Sequence, residues 1–384
     1  MKRLRVLFVA PVPYFKGGAE RSLMDLLTNP AVDPFLAVPA EGPISARADD
    51  LGIPWDVVDF GAISSIHRPF RLADGVGVVG SLVRAAQQLY TIARRRQAEL
   101  IHSNGLKAHA IALAARRLGG CPTVIHIRDI PNTKAEKAVW KAFQLAADQT
   151  ILVSRACCPA ADLPRNVHVV HNGFSGACGD PGMDLKKFGS CLVLGFTAGR
   201  IHPSKGLHVL LDGLARARAF GCVLRLIVRG AFAEETPAYE GEIRCKITAL
   251  DLSEFVTLEG FVTDSESVYN DIDIVCVPST APDPFPRSVM EAMGHGRVVI
   301  AAPCGGIPEM IIDGQTGFLT SDPTEFAAVV ARLQRDPTLH LAIGRAARVY
   351  CQSHFGLGRL HAEVRHVYEL AKLAPEKCPP RLIV

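Results

Sequence analysis

This chain predicts an α/β protein of two Rossmann-like doubly wound domains facing each other across a cleft. Three observations carry that expectation. Short β-branched strands alternate with helical runs along nearly the whole sequence, the pattern of parallel sheets. At 384 residues the chain is too long for one ordinary core. Residues 175–190, SGACGDPGMDLKKFGS, are rich in Gly, Pro and polar groups, lack periodicity, and divide the strand–helix series in two.

In the first half, Leu4–Pro11 reads as a buried first strand, centred on Val6–Ala10. As a signal peptide it fails, because the apolar run is short and no small-residue cleavage site follows. Further strands are expected at Phe35–Val38, Ile101–Ser103, Thr123–Ile127, Thr150–Val153 and Val167–His171. Glu20–Leu27 and Lys107–Leu118 carry apolar residues at helical spacing. So does 76–96, with Val79, Leu82, Val83, Ala86 and Leu89 assigned to one face. The second series starts at Cys191–Ala198. It continues through Leu224–Arg229, Val256–Glu259, Asp273–Pro278, Val298–Ala301 and Gly317–Leu319, with helices at 206–219, 239–250, 287–294 and 324–334. The tail, 339–374, reads as helical.

Composition sets bounds on function. With 48% hydrophobic and 21% charged residues the chain is a globular protein, and a net charge of +4 is too mild to indicate nucleic acid. No apolar run reaches the roughly 18–20 residues of a spanning helix. Eleven cysteines are scattered without a Cys-x-x-Cys pair, and Cys157-Cys158 makes a poor metal fork. Reduced thiols in a cytoplasmic compartment are expected, and no metal site.

Ligands of doubly wound sheets bind beyond the carboxyl ends of strands, so the residues just after strands matter most. Gly17-Gly18 follows the first strand and opens a helix, letting backbone approach a phosphate or sugar. A plain turn fits equally well. Gly-x-Gly-x-x-Gly is absent there, which disfavours a nicotinamide-dependent oxidoreductase. Arg200 and Lys205, flanked by Gly199 and Gly206, suit a diphosphate clamp on one loop. Gly260-Phe261-Val262 follows a strand and suits a nucleobase edge or a plain turn. Asp283 and Glu291 lie eight positions apart, one in a Pro-rich loop and one in a helical run, where each can grip separate hydroxyls of a sugar-rich ligand. Between them Pro286 suits the first helical position, leaving the Arg287 and Ser288 amides for a phosphate. In the first half, His102-Ser103-Asn104-Gly105 and His126-Ile127-Arg128-Asp129 follow strands. His126 reads as an acid–base group or a satisfied core histidine, and Arg128-Asp129 as a site pair or an internal ion pair.

Taken together, Gly17-Gly18, Gly199-Arg200…Lys205-Gly206, Asp283…Glu291 and Gly305-Gly306…Glu309 resemble glycosyltransferase family 4, retaining enzymes of the GT-B fold. The likeness runs from Val6 to about Phe355, is strongest over 273–319, and takes in Val169–Gly173 as the end of the first domain. It implies an acceptor-side domain over 1–176, a nucleotide-sugar domain over 190–355, and a tail, 356–384, returning to the first. It implies transfer of a glycosyl group from a nucleoside diphosphate to an acceptor hydroxyl. By position, Arg200 and Lys205 hold the diphosphate with the Arg287 and Ser288 amides, Glu291 binds ribose, and Asp283 contacts the sugar. Gly17, Gly18, Gly260, Phe261, Val262 and Phe285 complete the donor contacts. No cofactor or metal is implied. Two departures stand out. Asp283-Pro284-Phe285-Pro286 replaces the usual Glu followed by Phe-Gly. The usual first-domain His falls on Arg128, with His126 two residues earlier on the same face.

Other functions remain open at this level. They are a nucleotide-sugar 2-epimerase of the same shape and a non-catalytic nucleotide-sugar binding protein. The acceptor, lipid-linked or saccharide, has no motif. Arg94-Arg95-Arg96, ending the 76–96 helix, suits either a peripheral contact with anionic lipid on the cytoplasmic face or a solvated helix end.

Overall fold

A computed structural model describes residues 2–15, 17–65, 75–158, 162–176, 191–262 and 267–373. Most of the stretch read as the divider, 177–190, lies outside them. The chain forms two compact units: one of Met1–Phe15, Ala19–His171 and Gly358–Val384, the other of Lys16–Gly18 and Asn172–Leu357.

Unit 1 holds β1 (Leu4–Val9), α1 (Gly18–Leu27), β2 (Val32–Val38), α2 (Pro43–Asp50), β3 (Trp55–Val57), α3 (Gly75–Arg95), β4 (Leu100–Asn104), α4 (Leu106–Arg117), β5 (Thr123–Ile127), α5 (Lys134–Ala146), β6 (Gln149–Leu152) and β7 (Val167–Val169). Its sheet is parallel, in the order β3-β2-β1-β4-β5-β6-β7. Strands β4, β5 and β6 are buried along their whole length, as in a parallel sheet covered on both faces, although their sequences carry several polar residues. Helix α5 starts with a capping box: Glu136 N donates to Thr133 Oγ1, and Thr133 N donates to the Glu136 carboxylate.

Helix α3 corrects one expectation. Val79 is 68% exposed and Val83 is also exposed, whereas Ala85, Ala86, Leu89, Ile92 and Ala93 are buried. At its start, α3 turns Gly77 and Ser81 toward the 3₁₀ turn Gly61–Ile63, with Val78 and Leu82 packed on the core. Val79 and Val83 are thereby rotated outward. At the other end, Arg95 and Arg96 both bind Asp56, at 2.5 and 3.0 Å.

Unit 2 holds β8 (Leu192–Ile201), α6 (Leu207–Ala219), β9 (Leu224–Phe232), α7 (Ala238–Ala249), β10 (Val256–Gly260), β11 (Ile274–Val277), α8 (Arg287–Gly294), β12 (Val298–Ala301), β13 (Phe318–Leu319), α9 (Pro323–Arg335) and α10 (Pro337–Phe355). Its parallel sheet runs β10-β9-β8-β11-β12-β13. On one face α6 and α9 pack so closely that a Cβ on Gly213 would come 2.6 Å from Phe326 Cδ1. The helical tail is made of two helices. Gly356 takes an extended conformation, φ −61° and ψ 143°, and α11 (Leu357–Leu373) packs on unit 1. There Asn29 Nδ2 donates to His361 O at 3.1 Å, and Lys372 pairs with Glu99 at 2.8 Å.

Both sheets reverse their strand order once, between β1 and β4 and between β8 and β11. The loops leaving adjacent strands diverge there, opening the crevice in which such sheets take ligands.

Candidate functional site

The loops leaving β8 and β11 build the site in unit 2. Strand β8 runs to Ile201, three residues past its expected end, by means of a bulge. Thr197 pairs with Arg229 but Arg200 pairs with Ala231, so the extra residue re-aims the strand. Gly230 makes this close approach feasible, since a Cβ there would lie 2.0 Å from Ala198 O. Arg200, expected in a loop, sits on the bulged strand. Its side chain is 64% exposed and bound to Glu235.

The chain then makes a 3₁₀ turn, Pro203–Lys205, opened by His202, whose ring nitrogen accepts from Ser204 N at 3.2 Å. Thr280 ties the β11 loop to this turn, donating from N to Ser204 O at 2.9 Å and from Oγ1 to Pro203 O at 3.2 Å. Docking this tight places Lys205 Nζ 2.5 Å from Asp283 Oδ2.

Asp283, in its Pro-rich loop, has a side chain that is only 14% exposed. Its other carboxylate oxygen accepts from Phe285 N at 3.3 Å, and its carbonyl accepts from Gly306 N at 2.8 Å. The Gly305-Gly306 turn is therefore structural: Gly305 has φ +60°, and a Cβ on it would come 2.1 Å from Asp283 O. Phe285, read as a donor contact, is a core residue. Its ring is buried 5.4 Å from that of Phe355. Apolar burial outweighs the polar company of its neighbours in sequence.

Helix α8 starts at Arg287, with Pro286 one place earlier than expected, as the capping residue. Ser288 follows, half-buried, in the first turn. Arg287 folds back along the helix to Glu291, Nε to Oε1 at 3.0 Å, the i,i+4 spacing that brings side chains together. Tyr269 OH donates to the other oxygen, Oε2, at 3.1 Å. Gly17 and Gly18 group with this unit, where a Cβ on Gly18 would come 3.2 Å from Arg287 Cδ.

Beside the ends of β8, β9 and β10 lies a cavity of about 220 Å³ whose lining includes Gly230, Phe232, Arg244, Gly260 and Phe261. Gly260 has φ +80° with no atom near a would-be Cβ, and Phe261 is exposed. Val262 is half-buried beyond it.

In unit 1, the ends of β4 and β5 carry a polar cluster. Arg128 donates from Nε to Asn104 Oδ1 at 2.5 Å, and its Nη2 lies 3.3 Å from His126 Nδ1. His126 is fully buried, so Arg128 is the more accessible of the two. His102 stands between the Phe8 and His126 rings, at 5.1 and 5.4 Å, and its Nδ1 is 2.7 Å from Tyr368 OH. Burial first, and the Arg128 guanidinium second, push His102 and His126 well below the usual histidine range, so both are neutral.

The side chains that sequence reasoning missed are Tyr269, Glu235 and Tyr368. Each acts through a partner 22 to 266 positions away, and no local pattern marks it. Among the described residues no group of three or more His, Cys, Asp or Glu is placed to hold a metal, and no helix is long and apolar enough to cross a membrane.

Residues 193–336 match the family described as Glycosyl transferases group 1. The chain is 26% identical over 304 residues to D-inositol 3-phosphate glycosyltransferase of Arthrobacter sp. (strain FB24), covering 71% of this chain and 70% of the relative. It is 28% identical over 144 residues to lipopolysaccharide 1,2-N-acetylglucosaminetransferase of Salmonella typhimurium, a match to 36% of this chain that spans only 37% of that relative. Among solved structures, Anabaena HepE in complex with UDP and glucose superposes with a TM-score of 0.78 at 24% identity, over 96% of this chain and 100% of that one. A glycosyltransferase from Rickettsia africae gives 0.79 at 16% identity, over 97% and 99%. Two Rossmann-like α/β units of this kind are the GT-B fold.

Proposed function

We propose that this chain is a glycosyltransferase of family 4, moving a sugar with retention from a nucleoside diphosphate to an acceptor hydroxyl in glycoconjugate or polysaccharide synthesis. The observation that carries the reading is the convergence, at the strand-order reversal of unit 2, of two cation–carboxylate pairs, Lys205–Asp283 and Arg287–Glu291. The match of residues 193–336 to group 1 glycosyl transferases covers both pairs, and a relative named for glycosyl transfer supports it.

In this reading Lys205 exchanges Asp283 for the donor diphosphate, and Arg200 exchanges Glu235. As the glycosidic bond breaks, negative charge grows on the leaving diphosphate. Fixed cations and the start of α8 stabilise that charge more than they stabilise the intact donor. Asp283, released from Lys205, accepts from a sugar hydroxyl, and Glu291 accepts from the ribose. The Gly260–Val262 edge serves the nucleobase. No metal ion takes part in the proposal. Arg128, with neutral His126 behind it, serves the acceptor side from unit 1. We place the reaction in the cytoplasm, with a saccharide or lipid-linked acceptor.

A thermal-shift screen of UDP-, GDP-, ADP- and dTDP-sugars tests the reading, followed by product analysis with and without saccharide acceptors. Stabilisation by a nucleotide sugar, and a product with the donor's anomeric configuration, is the expected result. A donor epimerised without any acceptor would assign the site to a 2-epimerase. Stabilisation without turnover across the acceptor panel would leave only a binding protein.

A further inference from the structure

The hydroxyl of Tyr269 is the one neutral donor, among the contacts described above, that reaches the Glu291 carboxylate. Arg287 holds that carboxylate at one oxygen, Nε to Oε1 at 3.0 Å. The Tyr269 hydroxyl, 3.1 Å from Oε2, supplies a second fixed point. An ionised carboxylate offers about four lone-pair directions, so one such group can serve several donors at once. Two adjacent hydroxyls on one ring need that pair of acceptors in a fixed plane.

The tyrosine is itself immobilised. It is 1% exposed, and its ring lies 5.2 Å from that of His295 at 32°. Behind His295 stands Phe174, with ring centroids 5.9 Å apart. The Phe174 ring fills the space over Gly294, where any Cβ would meet it at 2.2 Å. The Phe174 backbone is pinned in turn, N donating to Phe355 O at 2.7 Å. These three packed rings, one pair tilted and the other edge-on, fix where the hydroxyl sits, and a hydroxyl orients a carboxylate without neutralising it.

We propose that Tyr269 is a positioning residue that holds the Glu291 carboxylate in the plane needed to accept both ribose hydroxyls, and so sets the preference for ribose over deoxyribose. This rests on the donor-site reading above.

Tyr269→Phe keeps the ring and its packing and removes only the hydroxyl. Calorimetric titration of wild type and variant with UDP, GDP and ADP, each beside its 2′-deoxy counterpart, is the test. The wild type is expected to favour the ribonucleotide. In the variant that preference should fall by about fivefold, the equivalent of one ordinary hydrogen bond, with deoxynucleotide affinity nearly unchanged. An unchanged preference, or an equal loss for both ligands as a merely structural role would give, overturns the inference alone. A wild type that binds without preferring ribose overturns the role of Glu291 and the inference together. A wild type that binds none of the three diphosphates overturns the donor site itself.

Discussion

Lys205 and Asp283 lie 78 positions apart in sequence, yet the ammonium and the carboxylate are 2.5 Å apart. The cation assigned to the donor diphosphate is thus already neutralised by a side chain, and any phosphate must displace that side chain. Lys205→Ala should weaken nucleoside diphosphate binding by roughly 1.5–3 kcal/mol, the range for hydrogen bonds to charged groups. Asp283→Asn should bind the nucleoside diphosphate as well as wild type or better, because the competing charge is gone. Its turnover should nevertheless fall, and its choice between epimeric donor sugars should blur. Titration of both variants with UDP, GDP and ADP, and rates on two epimeric donors, check this. Loss of diphosphate affinity in Asp283→Asn would make the acid a nucleotide contact or a loop anchor instead.

The same logic applies to Arg200 and Glu235, but in a setting open to solvent. Glu235→Gln should tighten nucleoside diphosphate binding a few-fold at low ionic strength. The gain should vanish in about 0.5 M salt, where the screening length is only a few ångströms. It should also vanish when Arg200→Ala is combined with it. A gain that survives in the double variant would place the effect of Glu235 elsewhere than on Arg200.

Much of this arrangement is legible in the sequence, and what is not has identifiable causes. Strands Thr123–Ile127 and Val298–Ala301 and helix 287–294 fall where the pattern puts them, because a buried parallel strand or a short amphipathic helix leaves a local signature. Helix α5 is not among the expected helices, although Thr133-x-x-Glu136 marks its start. Strand β3 is only three residues long and half-exposed, too short for any pattern. The extension of β8 past Ala198 depends on the partner strand's Gly230, which the sequence does not mark as such. Site residues follow the same division. Lys205, Asp283 and Arg287 were legible because each follows a strand or starts a helix, and Glu291 because it lies in the helix that Arg287 starts. That Lys205 is bound to Asp283, and Glu291 to Tyr269, is tertiary information.

Unit 1 should show a pH-dependent stability set by its buried histidines. His102 and His126 are pushed well below the ordinary 6.5, chiefly by burial. Below that value the unfolded chain binds protons that the folded unit refuses, so stability rises with pH through this range. Their contribution is complete above 6.5 and is lost progressively as pH falls toward the folded values. Each histidine adds a slope of up to about 1.4 kcal/mol per pH unit. Both tryptophans, Trp55 and Trp140, belong to unit 1, so tryptophan fluorescence reports its unfolding separately. Urea titrations from pH 8 to 5 should be flat at first and then decline. A flat profile down to pH 5 would mean that these histidines are protonated in the folded protein.

Two glycines with the same backbone conformation separate strain from site geometry. Gly206 has φ +77° and Gly221 has φ +82°. An alanine at either position carries the cost of a left-handed conformation, on the order of 1 kcal/mol. Their surroundings differ. At Gly221 nothing lies within 4 Å of a would-be Cβ, whereas at Gly206 it would come 1.8 Å from Pro278 O. That carbonyl belongs to the loop after β11, and Gly206 directly follows Lys205. Gly206→Ala must therefore push apart the two loops that Thr280 joins, carrying Lys205 away from Asp283. The expected outcome is a larger loss of stability than in Gly221→Ala, together with a loss of nucleoside diphosphate affinity approaching that of Lys205→Ala. Gly221→Ala should lose only the conformational increment and bind normally. Urea unfolding and titration with the three diphosphates measure both effects. Normal binding in a folded Gly206→Ala protein would show that the docking of these loops does not set the position of Lys205, and the diphosphate role would have to rest on other cations.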